Sequence, residues 1–93
     1  MITFNQVKEL LKNYGTIVFD DEDDEKIKVR ARAGNIEIYV SVTKYHTFIN
    51  TFISVERLFN SSKSMIISEL THYNKIENVD NWIKTNLRRI KRA

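Results

Sequence analysis

The sequence predicts an α+β domain in which an N-terminal helix, an antiparallel meander of three to five strands and a C-terminal helix follow one another over residues 1–93. Three observations carry this. Apolar residues recur at the helical period near each terminus, two stretches between Lys26 and Val42 alternate with period two, and the dipeptide Gly34-Asn35 sits between those stretches. With 93 residues, 42% of them hydrophobic and 29% charged, the chain can fill one core and not two, so residues 1–93 read as one domain.

The first helix is read over residues 3–14, where Phe4, Val7, Leu11 and Tyr14 form a stripe with Leu10 beside it. Thr3 stands where an N-cap would, Gln6 at the capping-box position, and Ile2 and Val7 at the spacing of a hydrophobic staple. Gly15 is expected to end the helix in the left-handed conformation. Thr16 to Phe19, β-branched and aromatic, read as a short strand running into an acidic turn at Asp20 to Glu25.

The next two strands are the clearest. Ile27, Val29, Ala31 and Ala33 alternate with Lys26, Lys28, Arg30 and Arg32, and Ile36, Ile38, Val40 and Val42 repeat the apolar set. A two-residue Gly34-Asn35 turn, whose residues both tolerate positive φ, pairs Ala33 with Ile36, Arg32 with Glu37, Ala31 with Ile38, and so on to Ile27 with Val42. A slip of one residue would turn the whole apolar set into water.

Residues 47–73 fit two patterns. Thr47, Ile49, Thr51, Ile53 and Val55 alternate as in a strand, while Phe48, Ile49, Phe52, Ile53 and Phe59 also fit a helical stripe. The scarcity of strong helix formers favours a strand, a turn at Asn60 to Lys63 and a second strand from Met65 to Thr71; the alternative is two helices on a three-stranded sheet. The last helix follows from Val79, Trp82, Ile83, Leu87 and Ile90, with Asn78 as its expected cap and Asp80 near its positive end. Trp82 lies on that stripe and is expected in the core. Strands over 47–73 would leave part of one sheet face open between two terminal helices, which favours a symmetric dimer through sheet or helix faces.

The residues exclude more chemistry than they suggest. With no cysteine the chain has no disulfide, thiolate nucleophile or sulfur-ligated zinc, which fits a reducing cytoplasm, and no stretch reads as a membrane span or an export signal. Two glycines, Gly15 and Gly34, cannot build a phosphate-cradling loop or a nucleophile elbow. His46 and His72 lack a second ligand at metal spacing. No catalytic residue, cofactor or metal is therefore expected.

The net charge of +3 is unevenly placed. Asp20, Asp21, Glu22, Asp23, Asp24 and Glu25 form an acidic run without the glycine and distal glutamate of a calcium loop. It reads as a solvated turn or, more sharply, as a phosphate mimic that occupies a nucleic-acid-binding groove on a protein partner. Lys26, Lys28, Arg30 and Arg32 beside Tyr39, with Lys84, Arg88, Arg89, Lys91 and Arg92 at the other end, give the alternative of direct nucleic-acid binding. Each basic group also has an ordinary reading, as the solvated face of a strand and as favourable charge at a helix C-terminus.

Rich in Ile, Lys and Asn, and without Pro or Cys, the chain resembles in general composition the small proteins of AT-rich phages and mobile elements that inhibit host machinery, anti-CRISPR proteins among them. The resemblance rests on no motif. It implies a non-enzymatic inhibitor that works by protein–protein contact in the host cytoplasm.

Overall fold

A computed structural model describes residues 1–44, 50–60 and 63–92, with the backbone alone at 59, 60 and 63. The elements are α1 (Phe4–Lys12), β1 (Thr16–Glu22), β2 (Lys26–Ala33), β3 (Ile36–Thr43), β4 (Thr51–Asn60), β5 (Lys63–Thr71) and α2 (Ile76–Arg92). The strands form one antiparallel sheet in chain order, β1-β2-β3-β4-β5. Residues 51–60 and 63–71 thus form two strands and not two helices, while Thr47, Phe48 and Ile49, and Ser61 and Ser62 of the expected turn, lie outside the described residues.

Both helices pack on one face of the sheet. Ile27, Val29 and Ala31 of β2, Ile38, Val40 and Val42 of β3, and Ile53 and Val55 of β4 join Val7 and Leu11 of α1 and Val79, Trp82, Ile83, Leu87 and Ile90 of α2 in a single cluster. α1 lies over β1 and β2, and α2 over β4 and β5. The β2–β3 register is the one that the alternation predicts, from Ala33 opposite Ile36 to Ile27 opposite Val42.

Thr3 caps α1 through a reciprocal capping box with Gln6. Three local expectations are corrected. Gly15 does not adopt positive φ: α1 ends at Lys12 with Asn13 as a right-handed C-cap, and Gly34 is the one residue at positive φ among those described. What Gly15 provides is close approach, since a Cβ there would lie 2.6 Å from the Arg32 carbonyl oxygen. The two-residue Gly34-Asn35 turn is present as expected, with Gly34 alone at positive φ, the arrangement of a type II′ turn. β1 runs through Asp20, Asp21 and Glu22 because cross-strand pairing with β2 continues to Glu22 opposite Ile27, leaving a turn at 23–25. Finally, α2 begins at Ile76, ahead of the expected cap Asn78, and Ile76 packs against the core.

Polar groups fasten α2 to the sheet. The Trp82 Nε1 donates to Glu69 Oε1 at 3.0 Å and the Arg57 guanidinium donates to the Ile90 carbonyl at 3.2 Å, while within α2 the buried Asn86 amide donates to the Trp82 carbonyl at 2.9 Å. Between the helices, the Tyr14 hydroxyl donates to Asp80, whose other oxygen lies 3.2 Å from Lys84 Nζ. The Tyr14 hydroxyl and the Lys84 ammonium hold the Asp80 carboxyl below the usual carboxylate range. Burial, then the bond to Asp80, pushes the Tyr14 hydroxyl well above its ordinary value.

The two glycines should respond differently to substitution. Gly15→Ala forces backbone apart and should cost ~1–3 kcal/mol, as overpacking does. Gly34→Ala meets no atom within 4 Å, but at φ +61° it should cost ~1–2 kcal/mol from conformation alone. Urea denaturation of both variants measures each cost, and an unchanged midpoint for Gly15→Ala would show that the β2 backbone does not crowd that site.

The Tyr14–Asp80 contact should shape stability at both ends of the pH scale. A lowered Asp80 pKa gives stability that is present above the ordinary value of 3.8 and lost as pH falls through the lower folded value. A raised Tyr14 pKa gives stability that is lost as pH rises above the ordinary 10.0. Thermal melting against pH should therefore show the acid limb flattened in Asp80→Asn relative to the wild type and the alkaline limb reduced only in part, because burial, the larger cause at Tyr14, remains.

Candidate binding face

The face of the sheet opposite the helices carries three rows of side chains that cross all five strands. Cross-strand register gives the rows as Thr16, Arg32, Glu37, Glu56, Ile66; Phe19, Arg30, Tyr39, Ser54, Ser68; and Asp21, Lys28, Ser41, Phe52, Leu70. The Arg30 guanidinium stacks 4.7 Å from the centroid of the Tyr39 ring, and that ring packs tilted against Phe52 at 6.1 Å. Phe19, Ile66 and Leu70 are exposed by 46%, 57% and 60%. Aromatic and aliphatic groups thus lie open to solvent on a sheet layer that no helix covers.

The basic stripe is on this face as predicted, but much of its charge is answered locally. Glu37 accepts from Arg30 at 3.1 Å and faces Arg32 at 3.6 Å, and Arg32 Nε also donates to the Gly34 carbonyl at 3.0 Å. The cross-strand pair expected between Arg32 and Glu37 is present and shared with Arg30. Lys28 stands opposite Asp21. The face consequently mixes signs, with Lys26, Lys28, Arg30 and Arg32 against Asp21, Glu37 and Glu56.

The acidic run is divided in the same way. Asp20 pairs with Lys8 of α1 at 3.2 Å and Glu22 with Lys44 at 2.9 Å. Asp23 accepts backbone N–H bonds from Glu25 at 2.7 Å and Lys26 at 2.8 Å, which close the turn and hold its carboxyl below the usual range, the Lys26 bond first. Asp21, Asp24 and Glu25 remain exposed.

The second basic cluster is far from the first in the layering. Lys84, Arg88, Arg89, Lys91 and Arg92 belong to α2, on the helix side of the sheet, whereas Lys26 to Arg32 point away from it. Within α2, Lys84 bonds Asp80 and Arg89 donates to Asn86 Oδ1 at 3.1 Å. The two groups of cations therefore do not form one surface.

Trp82 is 7% exposed and belongs to the core. His72 is exposed just beyond β5, and His46 lies outside the described residues. Among the described residues no three His, Asp or Glu side chains come together as a metal site, and no helix is long and apolar enough to cross a membrane. Phe19, Phe52, Ile66 and Leu70 are the face residues that patterning did not single out. The alternation in β4 and β5 would place Phe52 and Leu70 beside Tyr39 once those strands are paired, but no turn signal as sharp as Gly34-Asn35 gave that pairing.

In comparison with known proteins, no family model matches the chain, and no curated protein or solved structure matches it.

The Asp23 contacts make a spectroscopic prediction. In an NMR titration the Asp23 carboxyl should inflect below its ordinary 3.8, and the Glu25 and Lys26 amide protons should shift with the same midpoint. An inflection at the ordinary value would show that the turn is not closed by this carboxylate.

Proposed function

We propose that this chain is a non-catalytic binding protein that docks a protein partner on the uncovered face of its sheet. The observation that supports this most is the make-up of the face: an apolar centre of Tyr39, Phe52 and Leu70, with Phe19 towards β1, bordered by charges of both signs. Protein interfaces combine an apolar, aromatic centre with a mixed polar rim. A surface that tracks a phosphate backbone carries an excess of one sign, and the pairing of Arg30 and Arg32 with Glu37 reduces that excess here.

The general composition, like that of small inhibitors from phages and mobile elements, favours a component of host machinery as the partner. Inhibition of that kind needs only occupancy of a surface. The remaining acidic groups, Asp21, Asp24 and Glu25, lie at the β1–β2 end of the face, where they can extend the contact toward a basic groove on the partner.

The test uses two assays on the same preparations: affinity capture from host extract, and anisotropy of labelled oligonucleotides at low and near-physiological salt. Capture of a defined protein by the wild type should be lost in Phe19→Glu/Phe52→Glu, because anchors at an interface centre contribute roughly 2 kcal/mol or more each. It should persist in Arg88→Glu, on the helix side, while oligonucleotide titrations stay flat. Tight oligonucleotide binding that weakens steeply with salt and is abolished by Arg30→Glu would replace this reading with the nucleic-acid alternative.

A further inference from the structure

The two edges of the sheet are built differently. β1 has a bulge between Ile17 and Phe19 and carries Asp20, Asp21 and Glu22, all of which oppose the addition of another strand. At the other edge, β5 pairs with β4 without interruption from Ser64 to Thr71, contains no proline, and exposes Ile66 and Leu70 by 57% and 60%. No strand among the described residues pairs with its outer side. Such an edge is a template for another strand.

The sequence of β5 identifies which strand fits. From Lys63 to Glu69 it reads Lys-Ser-Met-Ile-Ile-Ser-Glu. We propose that β5 is covered by β5 of a second copy, antiparallel, about a two-fold axis at Ile66, so that two five-stranded sheets join into one continuous sheet.

An axis perpendicular to the sheet keeps the helices of both copies on the same side and requires paired residues to share a face. Centred on Ile66, it sets Ser64 opposite Ser68, Met65 opposite Ile67, Ile66 opposite itself and, by backbone register, Lys63 opposite Glu69. Shifted by one position to Met65, it would set Ser64 against Ile66 and Lys63 against Ile67. Shifted to Ile67, it would set Met65 against Glu69 and Ser64 against Leu70. Over Lys63 to Glu69, only the Ile66 centre pairs like with like and opposite charge with opposite charge. The inference is independent of the docking reading, since the helix-free face stays uncovered in such a dimer.

The self-pairing of Ile66 allows a test that a different interface would fail. By sedimentation equilibrium at micromolar concentration the wild type should show twice the chain mass of 11.0 kDa. Ile66→Lys and Ile66→Glu, each placing like charges directly opposite, should both be monomeric, and an equimolar mixture of the two should recover the dimer mass. A monomeric wild type, a dimer that survives Ile66→Lys, or a mixture that stays monomeric would overturn the proposal. Hydrogen exchange on the wild type supplies a second readout that needs no variant. Amides of residues 64–70 should gain protection with increasing protein concentration while those of β1 do not, and concentration-independent exchange in β5 would equally overturn it.

Discussion

Burial of one face of the sheet beneath two helices is the constraint from which the remaining structure follows. Val29, Val40, Ile53 and Val55 are fully excluded from solvent, as are Val7, Val79, Ile83 and Ile90 from the helices. Each such side chain contributes about 1.5–3 kcal/mol relative to exposure. Because side chains alternate along a strand, fixing that face inward fixes the other outward, and the rows from Thr16 to Ile66, Phe19 to Ser68 and Asp21 to Leu70 are the consequence. The uncovered face is thus the complement of the core and not a separate construction.

Helix placement depends on a small set of polar contacts at the margins of this core. Trp82 and Arg57 tie α2 to the sheet, and Tyr14 ties α1 to α2 through Asp80. A hydrogen bond between partly buried groups adds little net stability, so these contacts specify position more than they stabilise. Gly15 acts in the same cause by letting the chain leave α1 within reach of the β2 backbone.

Electrostatics here is local. The acidic and basic runs that stand out along the chain are dispersed in space: Asp20 and Glu22 are paired with Lys8 and Lys44, Arg30 and Arg32 converge on Glu37, and the cations of α2 lie on the far side of the sheet from those of β2. A run of charge in a strand sends alternate members to opposite faces, so linear clustering overstates the field at any one surface. The two sheet edges divide along the same lines, with charge and a bulge on β1 and an apolar, self-complementary pattern on β5.

How much was legible without coordinates follows the range of the interaction. The α1 capping box, the β2–β3 register and the apolar stripe of α2 depend on residues a few positions apart or joined by a short turn, and the sequence determined them by itself. The strands at 51–60 and 63–71 were favoured by their residues, but their pairing, the extension of β1 into its acidic residues and the role of Gly15 were decided by cross-strand contacts that no local pattern states. Only the tertiary structure brings Phe19, Arg30, Tyr39, Phe52 and Leu70 onto one face and sends the α2 cations to the other. The physical reason is that a short-range pattern encodes which side of an element is apolar, whereas the neighbours of its polar side are chosen by the long-range contacts that close the core.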